Sequence, residues 1–528
     1  MNHSNIAPMG MAVTPHHLAS ESALSILRAG GNAIDAMVAA AATISVVYPH
    51  MTGLGGDGFW LIVPPQGDPV AIDAGGPAGS LAAMSLYDGL EAIPHRGPKS
   101  ALTVAGTVAG WAEALTLSRE MGNPSLPLSQ LLGDAIRYAA DGMPVSLSQA
   151  RASAEKFDEL AKQASFARQF LPQGKPPDAG SRLIQPQLAD TLTRLTVEGL
   201  NSFYRGPLAA DMAQEMALLG MPVTADDLAA FHARLSIPLR LSHSMGELFN
   251  LAPPTQGLVS LMILGLTDRL PWANESESHC IHAIVEATKL AFATRDNCIT
   301  DPGHMTLDAQ SLLAAPVLDR LSERINSGQA APWGSVLSPG DTVWMGIIDS
   351  SGLAVSFIQS LYHEFGSGVL LPKSGVLWQN RGASFSLDPA HLRALAPGKY
   401  PFHTLNPAAA KLHDGRTMIY GSMGGDGQPQ TQAALFTRHV MQGMPLQRAI
   451  SAPRWLLGRT WGQATDTLKL EGRFSAATVA SLRALGHQVE MLPEFSEAVG
   501  HAGAVIRHNN GMLEGAFDPR SNGSAAGF

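Results

Sequence analysis

Near residue 340 the hydrophobic pattern of the chain changes its period. That change limits the fold to one that packs helices against antiparallel strands. Val343 to Ile348 reads as a strand, Asp349-Ser350-Ser351-Gly352 turns the chain, and Leu353 to Ile358 returns along it, which predicts a hairpin. Two more hairpins are expected in the same third, Ala408 to Tyr420 turning at His413-Asp414-Gly415 and Ala504 to Ala516 turning at Asn509-Asn510-Gly511. Before residue 340 the pattern is mainly helical. Ser20 precedes Glu21 and an apolar rhythm at Ala23, Leu24 and Leu27 that stops at Gly30-Gly31, which predicts a helix capped at Ser20. Asn32 then caps a second, Ala-rich helix through Val47. The uncharged run from Ala36 to Tyr48 is shorter than the ~20 residues that cross a bilayer, so it predicts a helix buried in protein. Further helices are expected near 128–140, 186–198, 207–219 and 279–295, and the stretch 171–182 reads as a surface loop.

Of the 528 residues 45% are hydrophobic and 15% charged, which excludes a disordered chain and suits a large packed core. Length alone suggests roughly three domains at about 150 residues each, or one intertwined body. The balance of 35 Lys and Arg against 44 Asp and Glu gives a net charge of −9 with no basic stripe, so neither nucleic acid nor an acidic membrane surface is an expected partner. Cys280 and Cys298 form neither a disulfide framework nor a C-x-x-C pair. Met1-Asn2-His3-Ser4-Asn5 lacks a basic region followed by an apolar stretch, so the cytoplasm is the expected location.

Gly53, Gly55 and Gly58 match G-x-G-x-x-G, but a helix precedes them and the strand Phe59 to Val63 follows. A dinucleotide site needs the opposite order, so a close-packed turn feeding a buried strand is expected instead. Gly421-Ser422-Met423-Gly424 lacks the spacing of a nucleophile elbow, and neither an H-E-x-x-H nor a P-loop is present. His16-His17 has no companion ligands at metal spacing and reads as a surface pair. No metal or organic cofactor is expected. Ser338-Pro339-Gly340-Asp341-Thr342 delivers a threonine onto the first residue of a buried strand, which by itself is ordinary strand entry.

Nine colinear segments resemble the gamma-glutamyltranspeptidase family of N-terminal-nucleophile hydrolases. They are Gly30 to Ala36 with Pro49 to Gly56, Thr103 to Gly106, Phe203 to Gly206, Ala252 to Gly257, Thr342 to Ser360, Phe365 to Gly368, Gly424-Gly425, Ala452 to Arg454, and Asp518 to Ser521. The resemblance implies an α+β fold, a four-layer αββα sandwich of two stacked sheets between helical layers. It also implies cleavage of the Asp341–Thr342 bond, giving a large subunit of residues 1–341 and a small subunit of 342–528 that stay together as one intertwined fold. A homodimer of the processed pair is a further expectation. In such enzymes the Thr hydroxyl attacks the preceding carbonyl, an N→O acyl shift gives an ester, and hydrolysis frees an α-amine beside the hydroxyl. That amine, with an ordinary pKa of ~7.7–8, is a usable base near neutral pH, so no Ser-His-Asp triad is required.

By the same resemblance Thr342 is the nucleophile, Gly424 and Gly425 supply oxyanion-hole N–H groups, and Ser360 takes the place of a threonine that hydrogen-bonds the nucleophile. The departures concern the substrate. A transpeptidase arginine for the glutamyl α-carboxylate is replaced by Gly75, and Arg381 and Ser384, beside Asn380, stand where Gln and Asp hold the α-ammonium. His403-Thr404 replace a serine pair, and Tyr362 replaces an asparagine. An arginine repels an ammonium and offers a planar fork to a carboxylate, so the pocket has changed sign. The segments Tyr362 to Phe365, Trp378 to Phe385 and Gly424 to Gln430 look close to the oxamate amidohydrolase branch, which implies a small anionic amide substrate and the reaction of oxamate with water to oxalate and ammonia. Two alternatives stay open, a gamma-glutamyl hydrolase or transpeptidase acting on glutathione-like substrates, and an unprocessed binding protein of the same fold.

Overall fold

Two seven-stranded sheets lie face to face, and both draw strands from either side of residue 340. The computed structural model describes residues 3–271, 276–334, 341–458 and 465–528, with Asp341 described by its backbone. One sheet runs in the order Ser524–Gly527, Gly10–Thr14, Asp341–Asp349, Ala354–Tyr362, Asp57–Val63, Val70–Ala74, Arg234–Ser236. The other runs Asn5–Ala7, Leu513–Phe517, Ala502–Arg507, Thr417–Ser422, Ala408–Leu412, Gly246–Asn250, Leu239–His243. Every pairing in both is antiparallel.

Side-chain alternation sorts the strand residues between layers. Trp344 and Ile348 point inward with Phe59, Leu61 and Ile358 to meet Ala409, Ile419 and Val505 of the facing sheet. Val343, Met345 and Ile347 point outward under helices that include His17–Arg28, Ala33–Val47 and Thr107–Glu120. Both faces of this strand are covered, which is why it reads as a continuous apolar run. Helices Gly257–Thr267, Glu277–Cys298 and Gln428–Phe436 cover the outer face of the second sheet over Leu241, Leu248, Met418 and Tyr420. The layering is therefore αββα, as expected from the resemblance.

Local signals hold where neighbouring residues decide the structure. All three hairpins form, with Ile348 opposite Ala354, Lys411 opposite Thr417 and Arg507 opposite Leu513. The Ala-rich helix Ala33–Val47 is buried along its whole length, and Asn32 Oδ1 caps it by accepting from Ile34 N (2.8 Å) and Asp35 N (3.2 Å). Asp349, in the first hairpin turn, accepts from Ala33 N at 2.9 Å and pins the helix to the sheet.

Four expectations need correction. The first helix starts at His17 with His16 as its cap, while Ser20 lies inside it, its hydroxyl engaged with Thr14 Oγ1 (2.8 Å) and Ser524 O (3.0 Å). His16 is accordingly buried and packs on Tyr48, so His16-His17 is not a surface pair. The helix expected at 128–140 is broken into Leu128–Leu131 and Gly133–Asp141. Residue 340 marks a change of pattern but no boundary in space, because five-residue strands such as Gly10–Thr14 and Val70–Ala74 are too short to show a period. No helix among the described residues is long and apolar enough to cross a membrane.

The glycine-rich turn is a close approach between backbones, as expected. A Cβ on Gly56 would lie 2.2 Å from Ser360 O, and one on Gly55 2.3 Å from Leu377 O. Side chains there would push the start of the Asp57–Val63 strand away from its neighbour.

Candidate active site

Three adjacent strands set out the site in a row. The register opposes Asp341 to Tyr362 and Val343 to Gln359, so Thr342 lies opposite a bulge made by Ser360 and Leu361 on the partner strand. Ser360 stands opposite Asp57 on the third strand. Thr342 is buried, and its hydroxyl donates to Ser360 Oγ at 3.4 Å and accepts from Gln428 Nε2 at 3.4 Å. Ser360 Oγ in turn accepts from Tyr362 N at 2.8 Å. Asp341 and Thr342 are consecutive residues of the Asp341–Asp349 strand; Ser338-Pro339-Gly340 lie outside the described residues.

Tyr362 adopts a left-handed φ of +81°, a conformation that costs a non-glycine residue ~1–3 kcal/mol and persists only where the surroundings enforce it. Here it turns the ring under Arg381, whose Cζ lies 3.9 Å from the ring centroid. One residue thus couples the threonine's partner to the arginine.

Gly424 and Gly425 follow the Thr417–Ser422 strand and open the turn that leads into helix Gln428–Phe436. Among the described residues neither N–H has an acceptor, as the first amides of a helical turn do not, which leaves both available to an oxyanion. Gln256 braces this turn, donating from Nε2 to Gly425 O and Thr404 O, each at 2.8 Å. Arg295, paired with Asp426 at 2.7 Å, also reaches Gln256 Oε1 at 3.3 Å. From the other side Gly500 packs on Gly424, and Arg454 holds Gly500 O while paired with Asp518 at 2.6 Å. The segments around Arg454 and Asp518 therefore act as a buttress.

Arg381 and Ser384 sit at the two ends of one 3₁₀ turn. Arg381 is 1% exposed, yet its Nε and Nη1 have no hydrogen-bond partner among the described residues. The same holds for Ser384 Oγ, Thr404 Oγ1 and both ring nitrogens of His403. Unpaired buried polar groups are rare, and an unpaired buried cation is costly. Burial pulls the Arg381 guanidinium down to about 10, against the opposing pull of Tyr362, Asp57 and Asp426. Asn380 is engaged at both ends of its amide, accepting from His363 N (3.1 Å) and donating to His95 O (2.9 Å), so it supports the pocket wall.

At Gly75 a Cβ would lie 2.8 Å from His403 Nε2 and 2.9 Å from Phe59 Cζ. The histidine fills the space that any side chain at 75 would need, so the two departures from the transpeptidase pattern are one steric event. Gly75→Ala is expected to displace His403, lower stability by ~1–3 kcal/mol and raise KM, read by thermal unfolding and steady-state kinetics.

Sequence reasoning missed Asp57, Gln256, Arg295, Asn406 and Gln428. Asn406 donates to Gln428 Oε1 (3.3 Å) and Thr404 O (2.8 Å), orienting the amide that reaches Thr342. The segment Ala252 to Gly257 carried a signal for Gln256 without a role. His282, Glu286 and His487 are near enough to one another to share a metal ion. Their atoms are already engaged: His282 with His487 (2.8 Å) and Asn326 O (2.7 Å), Glu286 with Lys289 (2.6 Å) and Ala331 N (3.0 Å). That cluster works as a hydrogen-bonded tie between residues on either side of Thr342.

Stacked antiparallel sheets between helices, with a threonine at the head of a buried strand bonded to the first residue of the helix that follows a Gly-Gly turn, define the N-terminal-nucleophile hydrolase class. Within that class the chain belongs to the gamma-glutamyltranspeptidase family, whose sequence profile matches residues 19–528. It is 65% identical to the oxamate amidohydrolase proenzyme of Klebsiella pneumoniae subsp. pneumoniae, over 100% of both chains. It is 39% identical to the glutathione hydrolase-like YwrD proenzyme of Bacillus subtilis, again over 100% of both. Among solved structures it superposes on a cephalosporin acylase from Bacillus halodurans with a TM-score of 0.91 at 30% identity, covering 100% of this chain and 97% of that one.

Proposed function

We propose that this protein is a self-processing amidohydrolase that cleaves itself before Thr342 and hydrolyses oxamate to oxalate and ammonia. The observation that carries the substrate assignment is Arg381, buried with unpaired donors and coupled to the nucleophile's partner through Tyr362. A substrate with a carboxylate next to its amide, and no ammonium, suits a cation there. The 65% identity to a protein named for oxamate supports the same reading.

After cleavage the freed α-amine of Thr342 takes the hydroxyl proton as Oγ attacks the amide carbon. Negative charge builds on the amide oxygen, where the N–H groups of Gly424 and Gly425 stabilise it, typically by ~3–4 kcal/mol for one well-placed donor. The amine returns the proton to the departing nitrogen, ammonia leaves, and an oxalyl ester remains on Thr342. Water, deprotonated by the same amine, attacks the ester and releases oxalate. Ser360 and Gln428 orient the Thr342 hydroxyl; Arg381, with Ser384, Thr404 and His403, receives the carboxylate. Both cysteines are free thiols, which favours a reducing compartment such as the cytoplasm.

The test is turnover by the processed protein of oxamate against a gamma-glutamyl anilide, followed as ammonia and anilide release. Oxamate alone should turn over. Release from the anilide alone would replace this assignment with the gamma-glutamyl one.

A further inference from the structure

The Gly53–Gly58 turn carries Asp57, a buried acid that the mechanism above does not use. Its Oδ1 accepts three hydrogen bonds, from Gly76 N (3.0 Å), Gly106 N (3.2 Å) and Gln379 Nε2 (3.0 Å). Its Oδ2 has no hydrogen-bond partner among the described residues and lies 3.6 Å from His403 Nε2. We propose that Asp57 and His403 are a proton-holding pair behind Arg381, so that the anionic substrate enters together with one proton, carried on Asp57 Oδ2 and shared with His403 Nε2. This rests on the carboxylate-binding role given to Arg381.

Charge in a closed space decides where the proton goes. Asp57 faces Arg381, His403 and Tyr204, and His403 faces Arg381 and Arg234. Beside Arg381, an ionised Asp57 balances the guanidinium. A second carboxylate leaves one buried negative charge in excess, unless a proton comes with it. Asp57 is the group able to take that proton, because burial holds its carboxyl at about 7 despite Arg381 and the three donors. Burial and the Arg381 charge keep His403 well below its ordinary value, so the imidazole stays neutral and accepts the Asp57 O–H at Nε2. Its other nitrogen is then an N–H donor. Asp57 is thus a positioning residue, acting through His403 and the charge state of the pocket.

The sign follows from linkage. Below about pH 7 Asp57 is already protonated and binding takes up nothing; above it, each anion bound must draw in a proton. KM for oxamate is therefore flat on the acid side and rises on the alkaline side by up to about tenfold per pH unit. The direct test is calorimetric titration of oxalate into the processed wild-type protein, in buffers of different ionisation enthalpy, at about pH 6 and about pH 8. Oxalate is a dianion whose second carboxylate falls at the Thr342 amine, which also takes up protons, so the Asp57 share is read as wild type minus Asp57→Asn: near zero at the lower pH and about one proton per oxalate at the higher. In Asp57→Asn, whose amide mimics the protonated acid, that share should vanish and the alkaline rise in KM with it. Uptake that is absent in wild type, or undiminished in Asp57→Asn, overturns the proposal. If the variant does not fold, infrared difference spectra of wild type with isotopically labelled oxalate decide, since a protonated carboxyl band must appear on binding. Failure of oxalate to bind at all would instead reject the substrate assignment.

Discussion

Thr342→Ala is expected to leave the protein as one uncut polypeptide of 528 residues with no turnover above background, a loss on the order of a million-fold. The same atom is used twice. Without Oγ1 there is no attack on the Asp341 carbonyl, so no ester forms and no α-amine is freed. Without that amine and hydroxyl there is neither base nor nucleophile for the amide. Thr342→Ser keeps both and should still mature and turn over. Denaturing electrophoresis with intact-mass analysis reads the cleavage, and ammonia release reads the activity. The folded core should survive the alanine, because the Thr342 hydroxyl's hydrogen bonds among the described residues are two long ones, at 3.4 Å to Ser360 and Gln428. An uncut but fully active Thr342→Ala protein would sink the mechanism.

Arg381→Met is expected to raise KM for oxamate by about 10²–10³, within the 2–5 kcal/mol that removing one partner of a buried charge pair costs. Its effect on stability should have the opposite sign. The native guanidinium lies buried on Tyr362 with two nitrogens unpaired, and Asp57, held at about 7, neutralises itself by protonation once that charge is gone, so an apolar side chain of similar length leaves no uncompensated buried charge. Thermal unfolding of the unliganded variant should be unchanged or raised. Loss of affinity together with loss of stability would mark Arg381 as a structural residue. Arg381→Lys should recover only part of the affinity, because a point charge on a flexible stem does not reproduce the planar fork.

The sequence by itself determined what neighbouring residues can decide. Asn32 caps its helix, Ala36 to Tyr48 is buried, the hairpins turn where Gly, Asp and Asn predict, and Thr342 heads a strand apolar on both faces. Each depends on period, capping or turn chemistry within a few positions. Resemblance extended this to Gly424, Gly425, Ser360 and Arg381, one residue at a time. Tertiary structure alone decided how those residues are charged and braced. Asp57 meets His403, 346 positions further along the chain, at 3.6 Å, and Gln428 reaches Thr342 because Asn406 orients it. Whether Arg381 is a surface cation or a buried one with unpaired donors depends on Tyr362 and Asp57, brought from two separate segments. A pKa and an unpaired donor are properties of what surrounds a group in space, and a linear pattern carries no record of that.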